Sequence, residues 1–269
     1  MKHTWKVTFI LLLLFFVAHA VGLFVLDSYQ TKEYPYGFQP PEIQDTGSTL
    51  FNIVFSIAIM TIIVLILIKF RARRLWKFWF FMSLLITLLL SFSAFIPKEY
   101  ALILALIFAL WRILRNNVYL HNFTEMFVYG GLASLFVPIL NVLSISILLI
   151  AIAIYDYWAV FKSKHMIKMA KFQTQNKVFA GLFIPYKKKT AILGGGDVGF
   201  TLVFSGVMFY NFGWIPAIIS SLLSGIALLV LLILGRRNKF YPAMPILAGG
   251  CFIALGIIYL LLTLGVLSA

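Results

Sequence analysis

Two aspartates stand where a charged side chain is costly. Tyr155-Asp156 lies near the end of an apolar run over residues 143–161, and Gly194-Gly195-Gly196-Asp197 opens another over 191–210. An ionisable group inside a membrane-length apolar segment is a functional hypothesis by default. Two carboxylates that meet split their titrations, so that one keeps a proton while the other is ionised. That is the equipment for general acid–base hydrolysis through a bound water. The glycines before Asp197 leave the backbone bare, so other groups can come close. A third feature is Tyr241-Pro242-Ala243-Met244-Pro245. Its prolines remove donors and bar a regular first helical turn, which predicts extended backbone with free carbonyls beside the carboxylates. Taken singly, each feature has a plainer reading. Either aspartate could be a protonated packing residue, the glycines a close helix contact, and the prolines an ordinary helix start.

The elements that must position these residues are membrane helices. Of 269 residues, 62% are hydrophobic and 11% charged. No polar surface made from that composition could cover a soluble core, so a bilayer is the solvent. The net charge of +14 falls in short basic clusters between apolar runs. Membrane proteins distribute charge in this way, and nucleic acid is not an expected partner. The single cysteine, Cys251, lies in an apolar run, where its thiol packs and no internal disulfide can form.

Nine apolar segments follow one another: 5–26, 49–69, 76–96, 100–115, 124–142, 143–161, 191–210, 215–234 and 242–264. The first also carries marks of a secretory signal, with Lys2, Lys6 and the small-residue site Ala18-His19-Ala20, although its apolar run continues to Leu26. With the N-terminus cytoplasmic, 20 of the 22 Lys and Arg fall on the inner side, and only Lys32 and Lys98 face out. This bias sets the orientation. The expected fold is an all-α polytopic membrane protein of nine transmembrane helices, N-terminus cytoplasmic and C-terminus outside. Residues 1–161 form a six-helix part carrying Asp156. Residues 162–190 form a basic cytoplasmic loop lying against the headgroups, and 191–269 a three-helix part with the glycine and proline motifs. Asp27, Glu33, Glu42, Asp45 and Glu99 sort to outer loops, and Glu125 to the inner start of the fifth segment, where a carboxylate suits a helix N-terminus.

Depth brings the two aspartates together. Asp156 is six residues short of Lys162, and Asp197 is eight past Lys189. At helical rise these offsets are about 9 and about 12 Å from the inner surface, on consecutive antiparallel spans. No intramembrane Lys or Arg is expected to pair with either one, so the carboxyls should pair with each other.

The motifs Tyr155-Asp156, Gly194-Gly195-Gly196-Asp197 and Pro242-Ala243-Met244 resemble the YD, GxGD and PAL motifs of the presenilin and signal peptide peptidase family of intramembrane aspartyl proteases. Nine spans, the order of motifs and the long loop before the seventh agree with it along the whole chain. Met244 departs from the usual Leu but is close to it in volume. The resemblance implies Asp156 and Asp197 as the catalytic pair, with substrate binding by Tyr155, Gly194, Gly195, Gly196, Pro242, Ala243 and Met244. It implies neither cofactor nor metal. The chain is short, without a large inserted loop, and so resembles compact archaeal homologues in a prokaryotic cell membrane. Its orientation resembles that of presenilin, which implies transmembrane substrates with their N-terminus outside. Partner subunits are not evident.

Other chemistries have less to stand on. There is no His-Glu-x-x-His for zinc. His3, His19, His121 and His165 are scattered, and no serine is expected at the depth of a histidine. Type IV prepilin peptidases share the aspartate and GxGD but lack the proline motif in a final span. A transporter or channel using the two aspartates for protons or cations would show broken helices in both halves, and only the second half has them. A purely structural role comes third.

Overall fold

The computed structural model describes residues 4–40, 73–115, 117–163, 180–186, 189–235 and 241–267, with Phe55, Ile59 and Ile63 between them, all three helical. The second apolar segment, most of the basic loop and the cluster at 236–240 otherwise lie outside the described residues. Eight helices are described: α1 Trp5–Thr31, α2 Arg73–Ser93, α3 Lys98–Leu114, α4 Val118–Phe136, α5 Val142–Trp158, α6 Gly195–Phe212, α7 Trp214–Leu234 and α8 Met244–Thr263. They correspond to every apolar segment of the sequence except the second. Four stretches, Trp5–Thr31, Val142–Lys162, Trp214–Leu234 and Met244–Thr263, are each long and apolar enough to cross a membrane.

Helix ends follow local chemistry. Asn117 caps α4 by accepting from the N–H groups of Tyr119 and Leu120, and Asn141 caps α5 by accepting from Ser144. Each satisfies donors that the helix start leaves orphaned. Gly213 alone joins α6 to α7, at φ 83°, a left-handed conformation that favours glycine. At the end of α2, side chains of α1 take the exposed carbonyls. Tyr29 Oη donates to Leu90 O at 2.6 Å and Ser28 Oγ to Ala94 O at 2.9 Å.

The outward faces are apolar. Phe9, Leu13 and Phe24 of α1, Ile103 and Ile107 of α3, Ile150 and Ile154 of α5 and Ile218 and Leu222 of α7 are all exposed, as lipid-facing positions should be. Small residues let helices approach inside. A methyl group at Gly131 would overlap the backbone of Thr87, and one at Gly22 the side chain of Leu202, so α4 lies hard against α2 and α1 against α6. Helix α1 packs on α4, α6 and α7, with Ala18 and His19 buried in that contact. Of the small-residue site in the signal-like reading, Ala18 and His19 are therefore part of the core, while Ala20 is exposed. Helices α5, α6 and α8 pack on one another and define the site.

One element departs from an all-helical expectation. Gly181–Tyr186 (β1) pairs antiparallel with Lys189–Gly194 (β2), Phe183 opposite Ile192. The end of the basic loop and the first four residues of the seventh apolar segment are thus a hairpin. The run Ala191-Ile192-Leu193 alternates, with Ala191 and Leu193 buried and Ile192 exposed. That is the two-residue period of a strand, which a short apolar run conceals.

Candidate active site

Asp156 lies in the last turn of α5 and is buried. Its Oδ2 accepts the backbone N–H of Met244, the first residue of α8, at 3.1 Å. The N–H of Ala243 is directed at it too. A helix start offers unpaired N–H groups and the positive end of the peptide dipoles, so it is a natural seat for a carboxylate. Pro245, in the first turn, loses nothing by lacking an N–H. The proline motif thus differs from its expectation of free carbonyls. Ala243 is in the α-helical region at φ −85°, ψ −38°, and its carbonyl accepts from Ile246 and Leu247, each at 3.1 Å. Donors, turned toward Asp156, are what this turn presents. Pro242 and Met244 are buried and Ala243 is half-buried.

Asp197 sits in the first turn of α6, half-buried. The Gly194 N–H donates to its carboxylate, which also lies within reach of the charge on Asp156. A methyl group at Gly194 would stand 2.9 Å from Asp197 Oδ2, so any side chain there would displace the carboxylate. At Gly195 it would meet the Ala180 carbonyl at 3.2 Å, where the Gly195 N–H already donates at 3.3 Å. Gly196 is exposed, with only the Phe200 ring at 3.6 Å from such a methyl. Tyr155 is on the exposed side of α5. Helical rise from Lys189 was the wrong measure of depth, because Lys189–Gly194 is extended. The two aspartates nevertheless come close enough for the charge on Asp156 to act on Asp197.

Charges that sequence reading placed at the surface are inside. Glu125 is not at a helix start but two turns into α4, buried, with Arg112 of α3 donating to it. Arg112 also donates to Thr124 Oγ1 at 2.9 Å and lies over the Phe80 ring. Buried Tyr129 stands one turn further along α4, beside Glu125 and within electrostatic reach of Asp197. Its ring edge would lie 3.9 Å from a methyl group at Gly199. From the same helix, Asn122 holds β1 like a neighbouring strand, accepting from Phe183 N at 3.1 Å and donating to Phe183 O at 2.9 Å, while His121 Nε2 meets Gly181 O at 2.7 Å. The spacing of His121, Asn122, Glu125 and Tyr129 over two turns was the available signal, a polar stripe on one face of an apolar helix.

A second correction concerns histidine. His19 and a serine do share a depth, for Nδ1 is 2.9 Å from Ser221 Oγ. No three His, Cys, Asp or Glu side chains converge to hold a metal among the described residues.

A bundle of apolar helices that brings two carboxylates to facing helix ends defines an integral membrane protein with an acidic pair. The model of the signal-peptide peptidase and presenilin aspartyl protease family matches residues 12–196, ending one residue before Asp197. The chain belongs to that family, and is an intramembrane aspartyl protease. Crystal structures of a presenilin-family intramembrane aspartate protease share the fold at 21% identity. In space group C222 the TM-score is 0.67, covering 93% of this chain and 97% of that one. In space group P2 it is 0.65, covering 92% and 95%. No curated protein sequence matches the chain.

Proposed function

We propose that Asp156 and Asp197 hydrolyse peptide bonds of transmembrane segments as one acid–base pair. The observation that carries this is their convergence, with Asp156 seated on the first N–H groups of α8 and Asp197 on that of Gly194. The ionised carboxylate takes a proton from a water, whose oxygen attacks the scissile carbonyl carbon. The protonated carboxylate donates to the carbonyl oxygen, giving a tetrahedral diol. Collapse breaks the C–N bond, with a proton passing to the leaving amine, and releases a carboxylic acid and an amine.

A transmembrane substrate hides its carbonyls in helical hydrogen bonds and must unwind before attack. Asn122 covers the outer edge of β1, whereas the hydrogen bond made at the outer edge of β2 among the described residues is at its end, where the Gly194 N–H donates to Asp197. That edge runs directly into Gly194 and Asp197, so an unwound strand added to it would be led across the pair. Tyr155, Gly195, Gly196, Pro242, Ala243 and Met244 would line its path.

The chain has nine spans in this reading, with the N-terminus inside, the C-terminus outside and residues 162–190 cytoplasmic. Its place is a prokaryotic cell membrane. Its substrates are single-span proteins with the N-terminus outside, and it works in the bilayer without evident partner subunits, cofactor or metal. The positive-inside bias supports the orientation. The test is cleavage of a single-span substrate by purified protein in liposomes. Wild type should release two fragments and Asp197→Ala none. Aspartate-dependent proton flux without fragments would favour a transporter.

A further inference from the structure

His19 of α1 is buried, and both of its ring nitrogens are engaged. Nδ1 lies 2.9 Å from Ser221 Oγ of α7, and Nε2 lies 3.2 Å from Thr201 Oγ1 of α6. Thr201 is one helical turn beyond Asp197. Its hydroxyl points back at that turn, 2.8 Å from Asp197 O and 3.0 Å from Val198 O. A hydroxyl has one proton, and carbonyls can only accept, so the proton of Thr201 goes to them. Its oxygen then accepts Nε2–H from His19, which leaves Nδ1 to accept the hydroxyl of Ser221.

An imidazole at this distance from a serine is also the arrangement of a general base and its nucleophile. The surroundings exclude that role. Ser221 and His19 are both buried, and the Phe15 ring lies 4.3 Å from the imidazole. A scissile carbonyl has no way to the serine oxygen.

We propose that His19 is a positioning residue for Asp197. By donating to Thr201 it holds that hydroxyl against the Asp197 carbonyl and so sets the rotation of the first turn of α6. Threonine bonded to the carbonyl four residues back perturbs a helix locally, and here that carbonyl belongs to Asp197 itself. Buried among apolar side chains, a hydroxyl that loses its partner is costly to leave unpaired, which makes the imidazole hard to replace. Gly22, one turn along α1, lets α1 lie against Leu202, and this closeness keeps the histidine within reach of α6. The inference rests on the reading of Asp197 as catalytic.

Two amides separate the two bonds of the ring. The side-chain nitrogen of His19→Gln falls near the place of Nε2 and can donate to Thr201. The side chain of His19→Asn reaches only as far as Nδ1 and can serve Ser221 alone. Purified variants are assayed in liposomes on one single-span substrate, with folding followed by thermal unfolding. His19→Leu and His19→Asn should lose kcat on the order of 10²-fold, the scale of a small misplacement of a reacting group, with KM within about twofold. His19→Gln should recover most of the loss. Thr201→Val should match His19→Leu and Thr201→Ser should recover, which reads the same link should His19→Leu fail to fold. Ser221→Ala should stay within about tenfold of wild type. Equal loss in Gln, Asn and Leu variants, or normal kcat in folded His19→Leu or Thr201→Val, would overturn the positioning role. So would Ser221→Ala as inactive as Asp197→Ala, which would make the serine a nucleophile. Activity in Asp197→Asn would instead remove the catalytic reading of Asp197, whatever the His19 series shows.

Discussion

Asp156 and Met244 are 88 residues apart in sequence and joined by one hydrogen bond, from the Met244 backbone N–H to Asp156 Oδ2 at 3.1 Å. The bond ties the last turn of α5 to the first residue of α8. Because the donor belongs to the backbone, the bond itself does not depend on the identity of the Met244 side chain. The turn that begins with Pro242 matters for its conformation, and this explains how Met can stand where the family usually has Leu.

Removal of either carboxylate should end proteolysis. Asp156→Asn and Asp197→Asn, and the corresponding alanines, should each lower kcat by at least about 10²-fold, the smallest contribution expected of a general acid or base. The variants should still insert and unfold cooperatively. Residual activity above a few per cent of wild type in any folded single variant would falsify the paired mechanism.

Gly194→Ala tests the geometry of the pair without touching a titrating group. Its methyl would press on Asp197 Oδ2 at 2.9 Å. Turnover should fall on the order of 10²-fold, and binding of a transition-state analogue should weaken with it. Gly249 of α8 has no atom within 4 Å of the place of its methyl. Gly249→Ala should stay within about twofold of wild type, since a methyl there meets nothing. Comparable loss in both variants would show that helix packing, not the carboxylate, is the sensitive feature.

The proline turn separates substrate docking from chemistry. Pro242→Leu should let α8 extend toward Tyr241 and change which N–H groups face Asp156. Ala243→Trp should fill the space beside the pair. Both should abolish cleavage of a transmembrane substrate, while a small photo-crosslinking analogue of the tetrahedral intermediate still labels them. Retained substrate cleavage in both variants would remove the docking role.

The buried pair Arg112–Glu125 should show asymmetric costs. Arg112→Met leaves a carboxylate buried without its cation and should destabilise by about 3–5 kcal/mol. Arg112→Met with Glu125→Leu replaces both charges by apolar groups and should recover most of that. Thermal unfolding in one detergent provides the comparison, and an additive double variant would refute the coupling.

Substrate direction follows from orientation. Single-span substrates with the N-terminus outside should be cut faster than the same segment inserted the other way. The comparison is made in one liposome preparation, with each orientation verified by protection from added protease, and equal rates would count against the proposed topology.

By itself the sequence determined the solvent, the helical class and the aspartates. These follow from local quantities: long apolar runs, basic clusters between them, and carboxylates too costly to bury without purpose. It also held the family likeness, because Tyr155-Asp156, Gly194 to Asp197 and Pro242 to Met244 are contiguous. Only tertiary structure decided what each of those residues touches. The strand over Lys189–Gly194 gains its pairing from β1, which Asn122 holds in turn, and a hydropathy window sees neither. Arg112 and Glu125 read as surface charges because each lies near an end of its apolar segment. They are inside because α3 and α4 pack so that one neutralises the other. His19 and Ser221 read as unrelated for the same reason. In a membrane, a polar side chain is satisfied by whichever helix lies beside it, and for His19 that neighbour is about two hundred residues away in the chain.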